Sequence, residues 1–155
     1  MKIRITTGIL VKTIEKLQSV GKLGREYMIF WLGIREGETI IIKEVYVPFQ
    51  LTSRISIQIP EKGMSELFGH LRKNRYMLAA QVHIHPKQAF HSHADDFLAI
   101  VKHKGALSLV LPWFGLKTTP DTFLEDTACY MFTEDGRWEE TNCKNYIEVK
   151  REWII

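Results

Sequence analysis

Four apolar runs, EYMIFWLGI, TIIIKEVYVP, YMLAAQVHI and ALSLVLPWF, do most to limit what this chain can fold into. They are rich in β-branched and aromatic residues, which suit strands packed against neighbours. Their apolar character is nearly continuous, the pattern of strands buried in a sheet interior. EYMIFWLGI and TIIIKEVYVP are joined by the turn-like REGE, so they read as a hairpin near the sheet centre. No run approaches the eighteen or more apolar residues of a membrane span.

Helical patterns are interleaved with these strands. KIRI suits a short strand, after which Leu10, Ile14 and Leu17 recur at helical spacing until Gly21 and Gly24 break the pattern. SRISIQI alternates with period two, as a strand does. Pro60 then opens a second amphipathic helix, with Met64, Leu67, Phe68 and Leu71 on one face. DDFLAIVKHKG reads as a short helix, and TACYMFTEDGRWEET as a hairpin around Asp135 and Gly136. No repeat, low-complexity tract or linker interrupts this order, so residues 1–155 are expected to form a single α/β domain. A chain of 155 residues buries roughly two thirds of its unfolded surface, enough for one core.

The formal charge of +3 comes from Lys and Arg scattered along the chain, which argues against a nucleic-acid surface. Trp113, Trp138 and Trp153 lie in or beside strand-like runs, where core or edge packing is expected. The start MKIRITTGIL lacks the long apolar stretch of a signal peptide, so the expectation is a soluble, cytosolic protein with no membrane partner. Cys129 and Cys143 form no CxxC pair, which excludes a thiolate zinc site and a disulfide framework. Cys129 is expected to be a buried thiol. Any metal must then be held by His and carboxylate.

VHIHPKQAFHSHADD, residues 82–96, concentrates four of the six histidines. His83 and His85 are two apart at the end of a buried strand, so both project from one face while Ile84 points into the core. Pro86 takes the chain out of the ladder. Two imidazoles plus one carboxylate satisfy a catalytic zinc that keeps one position open for water. Asp95 and Asp96 are the nearby carboxylates. Ser92, His93, Ala94 and Asp95 form an S-x-x-D pattern with Ser92 at a helix N-cap and Asp95 in the first turn, which favours Asp95 and leaves Asp96 as the alternative. His91 and His93 are read as lying outside the site.

These residues resemble the JAMM motif of the JAB/MPN metallopeptidases, in which an upstream Glu precedes HxHP and then SxxD. Here the pattern is filled by Glu26, by HIHP from His83 to Pro86, and by SHAD from Ser92 to Asp95. REYMIFWLG resembles the family's acid-led apolar strand, and LSLVLPWFG and GRW look like the closing strands of small bacterial members. In the commonest form of the motif the serine falls one residue later, where this chain has His93, with Asp96 in the acid position.

The resemblance implies a cytidine-deaminase-like α/β domain with a mixed central sheet flanked by helices. It implies that His83, His85 and Asp95 bind Zn²⁺, that Glu26 is general base and then general acid, and that Ser92 donates a hydrogen bond to the oxyanion. The implied substrate is a peptide or isopeptide bond after the tail of a ubiquitin-like protein or E1/E2-type conjugate. Similar small bacterial members look like deconjugating peptidases of antiphage operons. Two other readings stay open: maturation of a ubiquitin-like sulfur-carrier protein, and a catalytically silent MPN module serving as an assembly partner.

Overall fold

The computed structural model describes residues 1–89 and 103–152. Among these, an eight-stranded mixed sheet takes the order β10-β1-β3-β2-β6-β7-β8-β9, and β4 and β5 form a separate two-stranded ribbon. The apolar runs supply its centre: β2 (Met28–Glu36), β3 (Thr39–Tyr46), β6 (Met77–Ile84) and β7 (Leu107–Leu111). β2 is antiparallel to both β3 and β6, whereas β6 and β7 run parallel. β1 (Lys2–Thr6) lies parallel between β3 and β10 (Ile147–Lys150), so YIEV closes one side of the sheet. β8 (Ala128–Phe132) and β9 (Trp138–Thr141) form the hairpin at the other side.

Helices cover both faces. α1 (Thr7–Gly21) is capped by the Thr6 hydroxyl, which accepts from the Ile9 N–H, and buries Leu10, Ile14 and Leu17. These pack with Ile29 and Trp31 of β2 and with Val82 and Ile84 of β6. The Trp31 Nε1–H donates to Thr13 Oγ1 at 2.9 Å, so the largest buried side chain keeps a partner for its polar atom. α2 (Glu61–Asn74) lies on the opposite face, where Leu67 joins Met28, Phe30 and Leu32. The helix stops at Arg75 in the left-handed region, with the Tyr76 N–H closing on the Leu71 carbonyl at 3.0 Å.

Three expectations are corrected. SRISIQI keeps strand geometry only at β5 (Ile57–Gln58), paired with β4 (Leu51–Thr52), because Ser53 and Ser56 hydrogen-bond across a turn that leaves Ile55 exposed. Phe68 is on the outer side of α2 and exposed, while Gly63 is buried in its place, since an added Cβ there would meet the Phe49 carbonyl oxygen at 2.4 Å. ALSLVLPWF ends as a strand at Leu111, and Trp113–Gly115 forms a tight 3-10 turn. The short helix expected over DDFLAIVKHKG lies largely outside the described residues.

Cys129 and Cys143 are both buried free thiols. The Cys143 side chain beside it, and then burial, push the Cys129 thiol up and keep it protonated. Trp138 packs against Phe132 with ring centres 5.2 Å apart and planes tilted by 56°. Trp153 lies outside the described residues. Among them no helix is long and apolar enough to cross a membrane.

Candidate functional site

The alternation of β2 and β6 sorts their side chains between the two faces. On β6, Val82 and Ile84 enter the core beneath α1, and Gln81 and His83 take the other face. Gln81 donates to Ser108 Oγ of β7 at 2.9 Å, both residues being fully buried. In the antiparallel register Met28 lies opposite His83. Continuing that register by two residues on each chain sets Glu26 opposite His85. The Glu26 Oε1 and His85 Nε2 atoms are indeed 3.5 Å apart. The two imidazole rings lie side by side, 5.0 Å between centres. All three side chains are buried, with His83 at 0% exposure, His85 at 5% and Glu26 at 6%.

Main-chain bonds hold the trio in place. The Glu26 N–H donates to the Ser53 carbonyl at 2.8 Å, so the β4–β5 ribbon fixes the acid. One step on, Gln50 reads the edge of β2 with both ends of its amide: Oε1 accepts from the Met28 N–H at 2.9 Å, and Nε2 donates to the Met28 carbonyl at 2.8 Å. His85 leaves the strand but stays clamped. Its N–H donates to the Leu111 carbonyl at 2.9 Å, and its own carbonyl accepts from the Phe114 N–H at 2.6 Å. The Trp113 N–H donates to the Lys87 carbonyl at 2.8 Å.

The turn that provides those donors is unusual. Trp113, Phe114 and Gly115 have φ of 55°, 56° and 70° in succession, a left-handed run that two bulky L-residues rarely adopt. Each such residue costs on the order of 1–3 kcal/mol and persists only where its surroundings fix it. α1 supplies the fixing. Gln18 Nε2 donates to the Gly115 and Thr118 carbonyls at 2.9 and 3.1 Å, and a Cβ on Gly21 would meet the Phe114 carbonyl oxygen at 2.1 Å. Gln50 and this turn were not visible as site elements in the sequence. The usable signals were Pro112 directly after a strand and Gly115 shortly after it.

The buried nitrogen and oxygen donors suit a borderline cation such as zinc, and two imidazoles at this spacing lie within reach of one ion. Among the described residues no three His, Cys, Asp or Glu side chains are grouped to hold a metal, so the two histidines require a further ligand. Ser92, Asp95 and Asp96, with His91 and His93, lie outside the described residues.

No protein-family model matches the sequence. The probable metalloprotease y4jG of Sinorhizobium fredii is 34% identical over 135 residues, covering 84% of this chain and 82% of that protein. The chain belongs to this metalloprotease family. The fold of the metalloprotease also matches the solution structure of protein DSY2949 from Desulfitobacterium hafniense, with a TM-score of 0.70, 97% of this chain and 94% of that chain covered, and 18% identity. That likeness concerns the fold alone.

Proposed function

We propose that this metalloprotease is a zinc-dependent peptidase or isopeptidase of the JAMM type, on a JAB/MPN-type domain, cutting after the C-terminal tail of a ubiquitin-like protein. The observation that carries the reading is the buried Glu26 carboxylate 3.5 Å from the His85 imidazole, at the end of the strand that also carries His83. His83, His85 and Asp95 are the proposed ligands. Zinc in such a donor set supplies a Lewis acid and brings the ionisation of water to about pKa 7.

Glu26 is set for proton transfer. Its carboxylate is aimed by a main chain bonded to Ser53, which limits the geometries it can reach and favours one productive pose. It would take the proton of the attacking water and deliver it to the leaving amine, general base and then general acid. The Ser92 hydroxyl would donate to the oxyanion formed on the substrate carbonyl, a contribution of roughly 3 kcal/mol in comparable sites.

The test is metal content by mass spectrometry on protein prepared without added zinc. Wild type should carry one zinc per chain, as should Asp96→Ala, while His83→Ala and Asp95→Ala should lose it. A wild type that stays empty after zinc is restored would refute the proposal. Offering linear fusions and isopeptide conjugates in parallel separates maturation of a ubiquitin-like carrier from deconjugation.

A further inference from the structure

The four segments that meet around Glu26 and His85 are basic on their outer side. Arg25 precedes Glu26, Arg54 follows the Ser53 whose carbonyl holds the Glu26 N–H, and Lys87 stands two residues past His85. The Arg54 guanidinium lies 5.7 Å from the centre of the Phe114 ring, and Lys117 Nζ lies 5.4 Å from that of Trp113. All four cations are exposed. Residues 22–25, 51–56, 85–89 and 111–120 contain no Asp or Glu.

Some of the cations elsewhere are neutralised locally. Arg4, Arg35, Lys62, Lys104, Arg137 and Lys144 each have a carboxylate within ion-pair distance. Among the described residues Arg25, Arg54, Lys87 and Lys117 have none. Exposed apolar side chains share the same segments: Leu23, Ile55, Trp113 and Leu116. Single exposed ion pairs contribute little, but grouped charge of one sign steers association and selects register. An aromatic and arginines beside exposed aliphatics are the composition of an interaction surface.

We infer that this rim selects a substrate segment in which an apolar side chain is flanked by carboxylates, next to the bond to be cut. The inference rests on the peptidase reading and names the chemistry of its substrate. Aliphatic Leu23, Ile55 and Leu116 favour a protein segment over a nucleic acid, whose bases call for stacking aromatics. Trp113 is a specificity residue in this arrangement: its side chain is exposed, and its strained backbone is fixed by the bond from its N–H to the Lys87 carbonyl.

The experiment uses the full chain carrying Glu26→Gln and fluorescence anisotropy with three labelled probes. Two are short peptides with the same central Leu, flanked by Asp and Glu in one and by Asn and Gln in the other; the third is oligothymidylate of similar length. The acidic peptide should bind about tenfold more tightly than its amide twin at low salt, and the advantage should vanish in high salt as the charges are screened. Adding Arg54→Glu with Lys87→Glu should abolish the preference while thermal unfolding stays unchanged. Equal binding of the peptides, a preference that survives the double reversal, or tighter binding of oligothymidylate would each overturn the inference. Wild type offered the same peptides separates the two readings. Preferential binding by a chain that stays empty after zinc is restored removes the peptidase and keeps the rim; equal cleavage of both peptides keeps the peptidase and removes the rim.

Discussion

The two faces of the central sheet use the same strands for different ends. Beneath α1, β2 and β6 present Ile29, Trp31, Val82 and Ile84 to one continuous apolar core. On the other face they begin apolar under α2, with Phe30, Leu32 and Leu78, and turn polar toward the end of β6 with Gln81 and His83. A strand's period of two lets neighbouring residues carry stability and chemistry separately. The lesson is that substitutions one position apart should fail in different ways.

The comparison is broken most severely at Trp31. Trp31→Ala removes a fully buried ring and leaves Thr13 without its donor, so denaturant unfolding should show a loss of about 3–5 kcal/mol. On the opposite face, Glu26→Gln should leave that unfolding curve within about 1 kcal/mol of wild type while turnover falls by roughly 10²–10⁴, measured on any substrate the wild type cuts. Equal stability losses at Trp31 and Glu26 would mean that the faces are not divided as described.

Smaller effects sharpen the division. Gly21→Ala must push the Phe114 turn or bend α1, a cost of about 1–3 kcal/mol, and should also weaken metal retention by moving the carbonyl clamp on His85. Equilibrium dialysis beside thermal unfolding checks both. Ser108→Ala removes the acceptor from the buried Gln81 amide and should cost about 1–2 kcal/mol by urea titration.

The smallest effect lies far from both faces, at Glu134. The hydrogen bond from Lys104, and then its charge, hold the Glu134 carboxyl below the usual range. A lowered folded pKa contributes stability above the unfolded value, and that stability is lost as pH falls through the folded one. The pair is exposed, so Glu134→Gln should flatten the acid limb of the stability profile only slightly.

Much of this arrangement was legible in the sequence. Leu10, Ile14 and Leu17 announced α1, and the four apolar runs announced the strands that became the sheet centre. The turn within REGE proved narrower, with Gly37 at positive φ joining strands that extend to Glu36 and from Thr39. Spacing alone placed His83 and His85 on one side of a strand. What spacing could not supply was register: Glu26 meets His85 only because Met28 pairs with His83, a choice made by packing of whole strands. The Gln50 fork and the Phe114 clamp were hidden for a related reason, since each joins main-chain groups of segments distant in sequence. Arg25, Arg54, Lys87 and Lys117 are scattered along the chain, and the bonds of Glu26 to Ser53, Phe114 to His85 and Trp113 to Lys87 bring their segments together.

The contact between Gly21 and the Phe114 carbonyl makes α1 a gauge block. The middle of the helix is keyed to the sheet by Thr13 against Trp31, and its C-terminal end is cut flush against the turn that grips His85. One residue inserted between Thr13 and Gly21 would rotate everything after it by about 100° and present a side chain where only a hydrogen fits. The length of that helix is therefore as tightly specified as any ligand, and lineages of this fold should accept new residues in α1 far less readily than in the exposed turns.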